Sequence, residues 1–147
     1  MLFRSRLDEV DETLALRLSD PCGAEVGDDT GTGTIVDNDT ARASVADDTV
    51  REGAPGARPV LEFPVTLSQR STRPVTVRYE TRNGSARAGS DYRATSGQLV
   101  IPAGSTRGVV RVTVLGDRAR EGNETLTLVL SGPVRDGSAV GVVLNDD

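Results

Sequence analysis

The sequence contains no histidine, no tryptophan and no lysine, and it has one cysteine, Cys22. Each gap excludes a kind of chemistry. Without histidine there is no Ser-His-Asp or Cys-His arrangement, and zinc and copper lose their commonest nitrogen ligand. A lone cysteine cannot form an internal disulfide, so cystine bridges do not hold this scaffold together. Aromatic residues make up 3% of the chain, which suits a sugar-stacking cleft badly. No apolar run approaches the ~18 residues that span a bilayer, so this segment does not insert into a membrane. The opening Met1-Leu-Phe-Arg-Ser-Arg lacks the apolar core of a signal peptide. Net charge is −5, which argues against nucleic acid as a partner.

What is present points to strands and turns. Gly (16) and Pro (7) are frequent in the 147 residues, and Val, Thr and Leu fill the patterned stretches. That composition favours an all-β fold. The stretch with the most information is Asp117-Arg-Ala-Arg-Glu121-Gly-Asn-Glu124-Thr-Leu-Thr-Leu-Val-Leu. Three carboxylates arrive at spacings of four and three, and strict alternation follows at once. Period two is a half-buried strand with Leu126, Leu128 and Leu130 inward. Gly122 and Asn123 spoil a helix reading.

The same text occurs twice. Glu9-Val-Asp-Glu12-Thr-Leu-Ala-Leu-Arg-Leu-Ser19-Asp-Pro21 matches Glu121-Gly-Asn-Glu124-Thr-Leu-Thr-Leu-Val-Leu-Ser131-Gly-Pro133 at an offset of 112 residues. Gly33-Thr-Ile-Val-Asp-Asn-Asp39 then matches Gly141-Val-Val-Leu-Asn-Asp-Asp147 at an offset of 108. A period of whole-domain length indicates an array of domains rather than a solenoid. Residues 1–39 read as the C-terminal fragment of a preceding repeat, good for two or three strands, and residues 41–147 as a nearly complete one. A fragment that small is marginal alone; it is expected to be poorly ordered, docked on the complete domain or paired with another chain.

Seven strands are predicted in the complete copy: 43–46 continuing past a kink into 49–51, then 59–67, 75–81, 98–101, 108–114, 124–131 and 139–145. Turn signals separate them, among them Asn83-Gly84, Pro102-Ala-Gly104 and Gly132-Pro133. Seven short antiparallel strands in ~100 residues suggest an immunoglobulin-like β-sandwich. Its core is mainly Val and Leu, with Phe63 and Tyr79 as the large fillers.

Antiparallel connections swap the chain between two ends. One end collects Glu52, Asp91, the loop bearing Asp117, Glu121 and Glu124, and the terminal Asn145-Asp146-Asp147. Seven carboxylates from four separate stretches therefore gather there. Such a group repels itself unless protons or a cation join it. All-oxygen ligation without His or Cys suits a hard ion, and Ca²⁺ accepts six to eight such ligands in flexible geometry. For any single acid, a solvated loop position remains the plainer reading.

Taken together, Val50-Arg-Glu52-Gly53, Val75-Thr-Val-Arg-Tyr-Glu-Thr81, Gly84-Ser-Ala86-Arg-Ala-Gly89-Ser-Asp91-Tyr92, Asp117…Glu121-Gly-Asn-Glu124-Thr and the terminal Asn-Asp-Asp resemble the Calx-beta domain. That module occurs in sodium–calcium exchangers and, often in tandem, in large extracellular or surface proteins. The resemblance implies calcium ligands at Glu52, Asp91, Asp117, Glu121, Glu124, Asp146 and Asp147. It also implies an extracellular or cell-surface location and neighbouring repeats of the same protein as partners, with protein or glycan ligands as further candidates. Exchanger-type copies carry an acidic run where this chain has Gly116 and Arg118, and Asn145 replaces an acid. Fewer charges imply fewer ions, held more weakly. The leading fragment keeps Glu9, Glu12, Asp37 and Asp39 but has Ser5 in the place of Asp117, and it is not expected to bind calcium by itself.

Two functions follow. One is a non-enzymatic, calcium-binding tandem-repeat module, in which Ca²⁺ clamps the loops at one pole and stiffens the inter-repeat joint. The alternative is a metal-independent adhesive or spacer sandwich. Three tripeptides fit the N-glycosylation pattern, starting at Asn38, Asn83 and Asn123.

Overall fold

A computed structural model describes residues 6–19, 22–23, 25–37 and 39–146. The chain is all-β. Two strands near the start, β1 (Glu12–Arg17) and β2 (Thr30–Ile35), pair antiparallel as a hairpin. The remaining strands are β3 (Ala43–Val45), β4 (Asp48–Arg51), β5 (Val60–Leu67), β6 (Val75–Asn83), β7 (Ser96–Ile101), β8 (Arg107–Thr113), β9 (Glu124–Ser131), β10 (Val134–Asp136) and β11 (Ser138–Leu144). They make a sandwich of two sheets, ordered β10-β3-β5-β8 and β4-β11-β9-β6-β7.

The seven-strand sandwich of the sequence is present, with two elaborations. Its first strand divides at the kink: β3 pairs antiparallel with β5 in one sheet, and β4 pairs parallel with β11 in the other. The segment at 134–136, expected in a turn region, forms the short β10 and runs parallel to β3. Both devices place a short strand, β4 or β10, at a sheet edge, where it offers other chains little to pair with.

Alternation decides what goes inside. In β5, Leu61, Phe63, Val65 and Leu67 are buried and the residues between them are exposed. Leu126, Leu128 and Leu130 of β9 are buried as predicted. The large fillers differ in part from expectation. Phe63 is fully buried, but the second one is Tyr92, and Tyr79 is only half-buried. Tyr92 lies on a loop, where period-two counting has no purchase. Its hydroxyl reaches the core rim and donates to Asn83 Oδ1 at 2.7 Å, satisfying the polar tip. Tyr79 stays near the rim, with its phenol beside Gly97, where an added Cβ would stand 3.0 Å from the hydroxyl oxygen.

The leading segment touches the sandwich through Asp8. Its N–H donates to the Arg70 carbonyl (3.2 Å), and its own carbonyl accepts from the Thr72 N–H (3.0 Å). Its carboxylate accepts from the Ala41 N–H at 3.3 Å and lies 4.0 Å from Arg73.

Candidate metal centre

Strand directions place four stretches at one end. The ends of β4, β6 and β11 and the start of β9 coincide there, because β4 runs parallel to β11 while β9 is antiparallel to both β11 and β6. Glu52 follows β4 directly. Its N–H continues the ladder to the Leu144 carbonyl at 2.9 Å, and its side chain is buried. Glu124 is the first residue of β9 and is half-buried.

Asp91 arrives by the loop after β6, and the Gly-x-Ala-x-Ala-Gly-x-Asp-Tyr string explains how. Gly84 packs against the start of β9 so closely that a Cβ would lie 2.4 Å from the Thr125 carbonyl oxygen. Ala86 is fully buried and donates its N–H to that same carbonyl at 2.9 Å. Gly89 has φ +98°, a conformation that glycine adopts without strain. Asp91 then closes the loop on itself: Oδ2 accepts from the Arg87 N–H (2.7 Å) and its own N–H donates to the Arg87 carbonyl (3.0 Å). Asn83, read from the sequence as half of a turn signal, organises the base of this loop by accepting from both Ala88 N–H and the Tyr92 hydroxyl.

The structure brings carboxylate oxygens of Asp91, Glu121 and Glu124 within 4.8 Å of one another. Ca–O bonds of ~2.3–2.6 Å allow ligands of one ion to stand up to about 5 Å apart, so this spacing fits a shared calcium sphere. Burial pushes the Glu124 carboxyl up to about 7, with further upward pressure from the charges of Asp91, Glu121 and Glu52. Among the described residues, none of the ion pairs neutralises this trio.

The remaining predicted ligands stand around these three. Glu52 adjoins through its charge on Glu124, and its Oε1 also accepts from the Asp117 N–H at 3.3 Å. Asp117 turns Oδ1 onto the Ala119 N–H (2.6 Å), and Asp146 gives Oδ1 to the Gly53 N–H (2.9 Å). These two side chains knit the loops at the rim. Asp147 lies outside the described residues. Two amides complete the binding of loop to loop: Asn145, placed at this pole by the sequence, and Asn123, which stands out in the sequence only as a helix-spoiling residue and the start of a glycosylation tripeptide. The Asn145 N–H donates to Asn123 Oδ1 at 3.3 Å, and the Asn145 side chain donates to the Ala119 carbonyl at 3.0 Å. Gly116 is walled in by carbonyl oxygens; a Cβ there would meet those of Gly53 at 2.5 Å and Ala54 at 2.7 Å.

A pH dependence follows for the metal-free protein. The folded chain keeps a proton on Glu124 that the unfolded chain, with an ordinary carboxylate pKa of ~4.3, has released. That contribution to stability is fully present below ~4.3 and is lost as the pH rises through about 7. Thermal midpoints in EDTA should therefore fall across this window, and Glu124→Gln should flatten the fall. A Glu124→Gln profile parallel to the wild-type one would contradict the assignment.

A family model for the Calx-beta domain matches residues 37–146. The chain belongs to the Calx-beta family. As a Calx-beta domain it is similar to extracellular matrix protein 3 of Lytechinus variegatus, with 32% identity over 143 residues, 91% of this chain. FRAS1-related extracellular matrix protein 2 of Homo sapiens is 34% identical over 76 residues, 52% of this chain. The chain spans only 5% and 2% of the lengths of these relatives. Among solved structures, the apo form of the Calx CBD1 domain superposes with a TM-score of 0.63 at 27% identity, covering 73% of this chain and 98% of that one. The calcium binding domain CBD12 of CALX1.1 gives 0.63 and 27%, covering 72% of this chain and 46% of that one.

Proposed function

We propose that this Calx-beta segment is a non-enzymatic, calcium-binding tandem-repeat module of an extracellular matrix-type protein. The observation that carries the reading is the meeting of Asp91, Glu121 and Glu124 oxygens within 4.8 Å, with Glu124 partly withdrawn from water. Carboxylates held that close by the β6–β7 loop, the β8–β9 loop and the start of β9 repel one another, and a divalent ion converts the repulsion into attraction. Calcium would be held by Asp91, Glu121 and Glu124, with Glu52 beside them and the rim acids Asp117 and Asp146 adding negative potential. Its chemistry here is cross-linking: it ties the β6–β7 loop to the β8–β9 loop and the start of β9. The likeness to a calcium binding domain and to matrix proteins supports both the ion and the extracellular setting. With no histidine and no activated nucleophile in the sequence, the carboxylates have no catalytic partner of the usual kinds.

The joint between repeats belongs to the same reading. Asp8, at the pole of the leading fragment, is fastened by main-chain bonds to residues 70–72 and faces Arg73. One acid of the fragment thus lies beside a basic loop, which supports a joint in which an acidic pole faces a basic one. The hydrogen bond from Asp37 N–H to Asp11 Oδ1 (2.9 Å) repeats the one from Asn145 to Asn123 in the complete copy. The fragment's pole is therefore built on the same plan.

Isothermal titration of the full chain with calcium tests the proposal. Saturable binding should be seen in the wild type, and Glu124→Gln should weaken it by at least about tenfold, the equivalent of one lost charge-assisted contact of ~1.4 kcal/mol. A flat titration, or an unchanged affinity in Glu124→Gln, would leave the metal-independent adhesive or spacer module as the better account.

A further inference from the structure

The hairpin β1–β2 reproduces β9–β11 residue for residue, yet its inner face is bare. Leu14 pairs with Gly33 as Leu126 pairs with Gly141, and Glu12 pairs with Ile35 as Glu124 pairs with Val143. Leu126 and Leu128 have no exposure, whereas their counterparts Leu14 and Leu16 are 50% and 63% exposed.

Gly141 shows what belongs over that face. A Cβ on Gly141 would lie 2.8 Å from Leu61 Cδ1 and 2.8 Å from Phe63 Cζ, so the absence of a side chain makes room for two large residues of the opposing sheet. Gly33 occupies the same register position, but the nearest atoms a Cβ there would meet belong to Leu14 of its own hairpin, at 3.4 Å, and not to an opposing sheet. The notch is kept although the side chains nearest to it come from its own hairpin. A glycine weakens a strand interior unless something approaches closely.

We propose that the leucine face of β1–β2 is a docking surface for a second β-sheet of the same build as β10-β3-β5-β8, and that Gly33 is the hole receiving its large apolar side chain at the position of Phe63. The occupant is thus a Calx-beta sheet with buried residues like Leu61, Phe63, Val110 and Val112. Calcium plays no part in this packing.

The register of the repeat supplies the test. Residues 41–117 placed directly before residues 6–147 create a continuous repeat in which β1 and β2 become the last strands of a sandwich. Hydrogen exchange of the β1–β2 amides should slow at least a hundredfold relative to the chain 1–147 and approach that of β9–β11. In the fused chain, Gly33→Leu should return β1–β2 to fast exchange while β9–β11 stays protected, and Leu16→Asp should do the same. Exchange in β1–β2 no slower than in the chain 1–147 would overturn the proposal, as would protection that survives both substitutions. A dimer of the chain 1–147 that Leu16→Asp dissolves, without protection in the fused chain, would assign the face to self-association instead and would equally overturn it.

Discussion

Millimolar calcium is expected to raise the thermal unfolding midpoint of this chain by roughly 10 °C over its value in EDTA, and Glu124→Gln to remove most of the rise. An ion that binds only the folded state stabilises it by ~2.7 kcal/mol at a hundredfold excess over its dissociation constant. For a domain of about a hundred residues each kcal/mol moves the midpoint by at least ~4 °C. The mutation is chosen because Glu124 is the member of the trio most affected by its neighbours, with Asp91, Glu121 and Glu52 all acting on it. Removing its charge also relieves the metal-free repulsion, so the mutant in EDTA should melt no lower than the wild type in EDTA above pH ~7. Superimposable calorimetric transitions in the two buffers would dispose of the calcium reading.

The second large effect is a contrast between equivalent residues. Leu128→Ala should cost about 2–5 kcal/mol, since its side chain has no exposure and packs in the single core. Leu16→Ala changes the matching residue of the other copy and should move stability by less than about 0.5 kcal/mol, as expected for an exposed position. Denaturant midpoints of the two variants measure the difference directly. Comparable losses would mean that the hairpin is packed in solution, contrary to its exposure of 63% at Leu16.

Much of this architecture was legible in the text. Alternation located β5, β6, β8 and β9 to within two residues, because a strand with one wet face must repeat every second residue. The duplicated Glu-x-x-Glu-Thr-Leu-x-Leu segment announced strands in the leading fragment, and the structure pairs β1 with β2 in the register of β9 with β11. Counting strand directions brought the acids to one end. Less visible was how each carboxylate would be employed there. Asp117 and Asp146 face main-chain N–H groups, while Asp91, Glu121 and Glu124 converge. That choice rests on loop geometry within a few ångströms, which residue type and spacing do not encode. Tyr92 escaped for a related reason: its burial is set by a loop hinged on Asn83, not by a strand's pleat. The short β10 was hidden among turn residues because three residues are too few to display a period.

The crowding at Gly116 limits how the tip of this molecule could be re-engineered. An aspartate at that position would have to push aside the chain at residues 52–54, the same residues that carry Glu52 and receive Asp146. Added negative charge would thus come at the expense of the scaffold that aims the existing ligands. An acid restored at Asn145 meets a different cost: a carboxylate only accepts, so it would give up the bond that the amide donates to the Ala119 carbonyl and set a charge against that oxygen until a cation joined them.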